Sequence, residues 1–405
     1  MINNNIKKII YPAALIVCFV AVFGLGIWVG VNKIAYHVPQ PGTIDFSLFW
    51  DAYNTLQENF INPDKIDNQK IVFGAIKGMA ETLGDPYTDF FDPDQAKRFQ
   101  QDLSGSFEGI GVEIGVKKDM LTIIAPLDGT PGQKAGLKPG DIIIKIDGKD
   151  ASSMTTEEAV SLIRGPKGTS VTLTIFRDTW DKSKDIKIIR DTIKVESMKW
   201  KLINSTGEED AEGDIAYIQI NQFNESVSSD FRKAAIEILG SPAKKIIVDL
   251  RDDPGGYLEV AQDVAGWFLK KGQTVTIEDY GKDKEQETYK SEGSGIFANY
   301  PVVVLINEGS ASASEILAGA LRDNNGTKLI GDKSFGKGSV QRVIDLKGGS
   351  FLKITIAKWL TPKGSSISEV GLEPDIKISN EIGQATDEGK DPQMDKALEI
   401  IKDLK

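Results

Sequence analysis

From residue 215 onward the chain alternates short, almost wholly apolar runs with amphipathic segments, and this rhythm narrows the folds open to it. Apolar runs fit residues 215–220, 246–250, 302–306 and 351–356, and helical periodicity fits 228–239, 258–268 and 313–322. A strand without polar alternation must be covered on both faces. Such strands, separated by helices, build an α/β domain around a largely parallel sheet. At 405 residues the chain also exceeds the size at which a single core stops growing, so further domains are expected.

The segments before this domain differ in character. Residues 104–178 carry β-runs at 112–116, 121–125, 142–146 and 171–177, with turns at Gly129, Gly132, Gly140 and Asp147-Gly148. One helix fits 155–164, with Glu157 and Glu158 in its first turn. Residues 46–103 read as helical. Phe46, Phe49, Trp50, Tyr53, Leu56 and Phe60 recur at helical spacing, and further helices fit 70–83 and 93–103. Aromatics exposed on such a bundle would suit a homodimer surface. A last amphipathic helix fits 391–404.

At the N-terminus, residues 9–31 contain no charge, which is long enough to span a bilayer. Lys7 and Lys8 precede the run and favour a cytoplasmic start, residues 1–8, with the rest of the chain outside the cytoplasm. A cleavable signal peptide has a shorter apolar core and an A-x-A-like exit, whereas here Gly24-Leu25-Gly26 runs on into Ile27-Trp28-Val29, so an uncleaved single-pass anchor is expected. Residues 32–45 then form a stalk.

Composition excludes several chemistries. Net charge is −11, from 48 basic and 59 acidic residues, so no nucleic-acid partner is expected. The one cysteine, Cys18, and the one histidine, His37, fall in or just after the apolar N-terminal run. No intrachain disulfide can form, and no zinc site or other metal or cofactor is expected. A histidine-based serine triad is ruled out for the rest of the chain.

A serine chemistry nevertheless has its parts. Ser310-Ala311-Ser312-Ala313-Ser314-Glu315 lies between the apolar run 302–306 and the helix beginning near Ala313. A helix N-terminus offers unpaired N–H groups and a positive dipole end, which suits an oxyanion. Ser314, just before Glu315, reads as a helix cap. Asp252-Asp253-Pro254-Gly255-Gly256 follows another apolar run and provides a second loop of donors or simply a turn. A base is available in Lys337, flanked by Gly336 and Gly338. A lysine can serve if burial lowers its pKa. Residues 331–337 match most of a phosphate-binding loop, but Gly338 stands where Ser or Thr should bind magnesium. Ser334-x-x-Lys337 matches the motif of penicillin-recognising enzymes, but the flanking glycines oppose the helix it needs.

These blocks, with Thr361-Pro362-Lys363-Gly364 and Gly371-Leu372-Glu373-Pro374-Asp375, resemble the carboxy-terminal processing peptidases, or tail-specific proteases, over roughly residues 46–400 in the same order. The resemblance implies an α/β fold with a ClpP/crotonase-like spiral catalytic core at 191–380, a helical module at 46–103, an inserted PDZ domain at 104–190 and a helical tail at 381–405. It implies Ser312 as nucleophile, Lys337 as general base and Gln341 as the residue orienting the lysine. The oxyanion hole would combine the N–H of Ala313 with that of Gly255 or Gly256. In the PDZ domain, Gly109, Ile110, Gly111 and Val112 would form the carboxylate-binding loop. A peptide would add as a strand beside 112–116, with Ile110 and Val112 making its pocket apolar. Arg164, at the end of the module's helix, would couple it to the core. The expected activity is endoproteolysis of extracytoplasmic proteins chosen through accessible, apolar C-termini. The competing expectation is a catalytically idle scaffold that binds such tails.

Overall fold

The computed structural model describes residues 44–117, 120–282, 284–379 and 391–404. The expected membrane anchor, residues 1–43 generally, and tail residues 380–390 lie outside this set. Among the described residues no helix is long and apolar enough to cross a membrane.

The chain divides after Val72. In the first unit, helix Ser47–Asn59 has no buried residue. Phe46, Phe49, Trp50 and Tyr53 stack edge-to-face along it, and the Tyr53 hydroxyl donates to Asn68 Oδ1 at 2.8 Å. The next helix, Asn68–Glu81, begins in this unit and continues into the second.

The second unit is organised by a six-stranded sheet. Its order is Met198–Ile203, Ile215–Ile220, Lys245–Asp249, Val302–Ile306, Lys328–Gly331 and Ile376–Lys377. The first pair is antiparallel and the remainder parallel. The two faces have separate cores. Ile246, Val248, Val304 and Ile306 face helices Glu225–Leu239, Leu258–Phe268 and Ala313–Asn325. Ile247, Val303 and Leu305 face helix Pro392–Asp403 through Ala397, Leu398 and Ile401. Period-two alternation therefore sends apolar side chains both ways, which is why these strands read as continuous apolar runs.

The run at 351–356 does not join this sheet. It is the start of a longer strand, Phe351–Leu360, in a second, antiparallel sheet with Asp89–Phe91, Thr274–Asp279, Glu287–Lys290 and Ser339–Asp345. Its mostly half-buried pattern fits a sheet with one open face.

The β-rich module has its own core, built on Ile123, Ile146, Leu173 and Ile175. Its main strands run in the order Val112–Lys117, Met120–Pro126, Ile142–Ile146, Ser170–Phe176 and Lys184–Ile189. Helix Thr156–Ile163 is set by a capping box between Thr155 and Glu158. A two-stranded ribbon, Ser106–Gly109 against Asp191–Lys194, closes the module where the chain enters and leaves it.

Candidate active site

The parallel register brings three strand ends together: Asp249 pairs with Leu305, and Ile306 with Gly331. The loops after these strands therefore converge at one edge, where α/β sheets place their chemistry. They are the Pro-Gly-Gly turn, the serine loop and the lysine loop.

The three serines have distinct roles in holding the loops. The Ser310 hydroxyl donates to Leu250 O at 2.7 Å and accepts from Asn307 N–H at 2.9 Å. The Ser314 hydroxyl donates to Asp253 O at 3.0 Å, so Ser314 ties two loops together rather than capping the helix. The N–H of Ala311 also donates to Asp253 O, at 2.9 Å. Between them, Ser312 stands immediately before helix Ala313–Asn325 with φ 55° and ψ −112°. A left-handed backbone at a non-glycine residue costs roughly 1–3 kcal/mol and persists only where the surroundings enforce it. Ala313 occupies the first helical position, whose N–H has no intrahelical partner.

The Pro-Gly-Gly turn packs directly on this serine. A Cβ on Gly255 (φ 97°) would lie 2.6 Å from Ala311 O and 2.8 Å from Ser312 Cβ. One on Gly256 would lie 2.2 Å from Phe223 O. Only glycine fits at either place. The N–H of Gly255 donates to Asp253 Oδ1 at 2.8 Å. Asp252 and Asn307 clamp the turn to the serine loop, through Asp252 N–H to Asn307 Oδ1 and Asn307 Nδ2 to Asp252 Oδ1, both 2.8 Å.

Glu315 fastens the lysine loop to the serine loop. Its side chain is fully buried. One carboxylate oxygen accepts from the N–H of Ser312 at 2.9 Å. The other accepts from the Ser334 hydroxyl at 2.5 Å and the Gly336 N–H at 2.8 Å. The Lys337 N–H adds to this set. Burial pushes the Glu315 carboxyl up, and these hydrogen bonds pull it back. Phe335 N–H also donates to Ser310 O at 3.0 Å.

Lys337 is half-buried, its amine 5.9 Å from the centre of the Tyr87 ring. Burial holds its pKa below the ordinary lysine value, the nearby Lys353 lowers it further, and Glu315 opposes both. A pocket of about 600 Å³ opens beside it, lined by Tyr87, Pro254, Ala311 and Phe335, with Asp252 and Glu308 also in the lining. Gln341 is not joined to the lysine here: its amide donates to Ser339 O at 2.8 Å and Ser339 Oγ at 2.7 Å.

In the β-rich module, strand Val112–Lys117 lies at the sheet edge, leaving one side open for an added strand. Gly111 takes φ 69° against the Thr130 side chain, whose hydroxyl donates to Gly111 O at 2.9 Å. Gly109 ends strand Ser106–Gly109, and Ile110 is buried in the module core. Ile110, Gly111 and Val112 line a small groove of about 60 Å³ together with Val160 and Ile163. Arg164 stands at that groove with its guanidinium 4.3 Å over the Phe107 ring, and it bonds Asp102 of helix Pro93–Ser104 at 2.8 Å.

Sequence reasoning did not find the parts played by Glu315 and Asp253. Glu315 carries a visible signal, three residues after a serine at a helix start, but that signal reads as an ordinary capping box.

Residues 214–378 match peptidase family S41, residues 98–176 match the PDZ domain, and residues 38–95 match the activating protease CtpB N-terminal domain. A carboxy-terminal-processing protease of Bartonella bacilliformis is 40% identical over 334 residues, covering 82% of this chain and 74% of the relative. Carboxy-terminal processing protease CtpA of Bacillus subtilis is 39% identical over 336 residues, covering 83% and 69%. CtpB of the same organism is 36% identical over 373 residues, covering 88% and 75%. Among solved structures, a photosystem II D1 C-terminal processing protease aligns with a TM-score of 0.52 at 24% identity, covering 82% of this chain and 92% of that one. This last likeness bears on the fold alone.

Proposed function

Because the chain belongs to peptidase family S41, as a carboxy-terminal processing serine protease bearing a PDZ domain, we propose that Ser312 is its nucleophile and Lys337 its general base. The observation that carries this reading is the junction of the two loops. Glu315 accepts at once from the N–H of Ser312 and the N–H of Gly336, so the serine and lysine loops are held as one unit. The left-handed backbone of Ser312 and the lowered pKa of Lys337 support the same roles.

In the proposed reaction the neutral Lys337 amine takes the Ser312 hydroxyl proton as Oγ attacks the peptide carbonyl. The N–H groups of Ala313 and of Gly255 or Gly256 receive the oxyanion. Lys337 then gives its proton to the leaving amine, and water hydrolyses the acyl-enzyme. For Gln341 to orient Lys337, its amide must exchange Ser339 for the amine.

Residues 104–190 are assigned to the tail-binding domain, residues 191–380 to the core. The ribbon of Ser106–Gly109 with Asp191–Lys194 supports a boundary near those positions. An apolar C-terminus would add beside strand Val112–Lys117, its carboxylate on the loop from Gly109 to Val112. The contact of Arg164 with Asp102 supports a coupling of this domain to the rest of the chain. The uncharged run at 9–31 supports a membrane anchor with the catalytic part outside the cytoplasm, and the exposed aromatics of helix Ser47–Asn59 support a homodimer.

The test uses an unstructured protein with an apolar C-terminus as substrate for wild type, Ser312→Ala and Lys337→Ala. Cleavage by wild type alone is expected, rising with pH as Lys337 loses its proton. Equal cleavage by all three rejects the mechanism. Tail binding without cleavage by wild type favours the idle scaffold.

A further inference from the structure

Asp253 is the first residue before Pro254-Gly255-Gly256 and is fully buried. Its Oδ1 accepts the N–H of Gly255 at 2.8 Å, while its Oδ2 is buried with no hydrogen-bond partner. An ionised carboxylate has room for about four hydrogen bonds and is costly to bury without them. Its main chain is equally committed: the carbonyl accepts from Ala311 N–H and the Ser314 hydroxyl, and the N–H donates to Leu250 O. The side chain thus cannot swing to solvent without unfastening the turn from the serine loop.

No charge near Asp253 compensates one of its own. On its own turn, the Arg251 guanidinium is engaged by Asp249 and Asp391, and the Asp252 carboxylate faces Asn307. From the serine loop and its helix, Ser314 presents a neutral hydroxyl and Glu315 directs its carboxylate to the lysine loop. Among the described residues, no cation pairs with Asp253.

We infer that Asp253 is a positioning residue that supports the oxyanion turn only while it carries its proton, and that its ionisation turns the peptidase off at alkaline pH. The inference rests on the assignment of Ser312 and the Pro-Gly-Gly turn as the reacting centre. Two effects of ionisation act together. A charge-assisted hydrogen bond is roughly twice as strong as a neutral one, so an ionised Asp253 grips the Gly255 N–H and withdraws it from the substrate. The same negative charge stands behind a turn that must receive a second one, the tetrahedral oxyanion. Burial is consistent with a neutral resting form, since it pushes this carboxyl up to about 8, against the smaller lowering effect of the Gly255 N–H hydrogen bond.

The experiment measures kcat/KM on a short peptide for the purified full chain, from about pH 6 to about pH 10, for wild type and Asp253→Asn. Wild type should rise on the acid side with Lys337 and fall on the alkaline side. Asp253→Asn should keep the rise and lose the fall. With profiles normalised at neutral pH, the two should differ by about 30-fold at 1.5 pH units above the Asp253 midpoint. An alkaline limb that persists in Asp253→Asn overturns the inference, as does a wild-type profile without one. Asp253→Ser, smaller and also neutral, is run beside it in case the amide does not fit. Melting temperature provides a second readout. A raised carboxyl contributes stability that is complete below the ordinary carboxylate range and is lost as pH climbs through its folded value. The advantage of the neutral variants over wild type should therefore grow from about pH 4 to about pH 8, and a pH-independent difference counts against a buried proton. Failure of the underlying assignment looks different: Ser312→Ala would still cleave, whatever the profiles show.

Discussion

Glu315→Gln is the sharpest test of how the serine and lysine loops are joined. The carboxylate is fully buried and accepts from Ser312 N–H at 2.9 Å, the Ser334 hydroxyl at 2.5 Å and Gly336 N–H at 2.8 Å. A glutamine of the same shape has a single acceptor oxygen. If its –NH₂ faces Ser312, two N–H groups oppose each other. If it faces the lysine loop, the clash is with Gly336, and Ser334 cannot turn to accept freely because its Oγ already takes the Leu372 N–H at 2.6 Å. One hydrogen bond to a charged group is lost and one buried donor is left without a partner, each worth about 1–3 kcal/mol. Removing a buried charge offsets part of this, since burial alone pushes Glu315 up. The net expectation is a loss of about 2–3 kcal/mol in stability, and the same loosening at the proposed reacting centre should lower kcat by about 30- to 160-fold. Thermal unfolding and steady-state kinetics read the two effects. The PDZ domain has its own core, so affinity for a tail peptide should not change. Wild-type kcat in Glu315→Gln would falsify the idea that this carboxylate holds the serine and lysine loops in register.

Two further outcomes follow from the same geometry. Lys353 lowers the pKa of Lys337 through like charge, so Lys353→Met should raise it and move the acid limb of kcat/KM to higher pH; an unmoved limb shows that burial alone tunes the base. Ser312 holds φ 55°, which glycine adopts freely, so Ser312→Gly should abolish cleavage while raising unfolding free energy by up to about 1 kcal/mol; a destabilised variant shows that the backbone is not under strain there.

Much of this architecture was legible because apolar periodicity is a local property. The strands Ile215–Ile220 and Val302–Ile306 and the helix Leu258–Phe268 could be bounded from their own residues. Phe351–Leu360 was not, because membership of a sheet depends on partners distant in sequence, here Asp89–Phe91 and Thr274–Asp279. Thr274–Asp279 itself mixes polar and apolar residues, and Met198–Ile203 alternates lysines with apolar side chains, so neither stands out as a run. The serine block was visible as a motif, yet its division of labour was not. That Ser314 reaches Asp253, rather than capping its helix, is a fact about two loops meeting across a sheet edge.

The two buried carboxylates beside Ser312 show why such facts matter. Glu315 and Asp253 are both fully buried and both pushed up by burial, but their surroundings answer the charge differently. Glu315 is met by donors from the N–H of Ser312, a hydroxyl and the lysine loop, so any charge it carries is shared along the junction it maintains. Asp253 is met through one oxygen only. A charge that is well bonded costs little to keep and draws its donors inward; a charge without donors is avoided by keeping the proton. The same residue chemistry can thus fasten one side of Ser312 through both carboxyl oxygens and place on the other side, beside the proposed oxyanion turn, a carboxyl that holds its proton more readily. On the proposed mechanism, exchanging these environments would place a permanent negative charge behind the turn that receives the oxyanion, and cleavage would be weakened already at neutral pH.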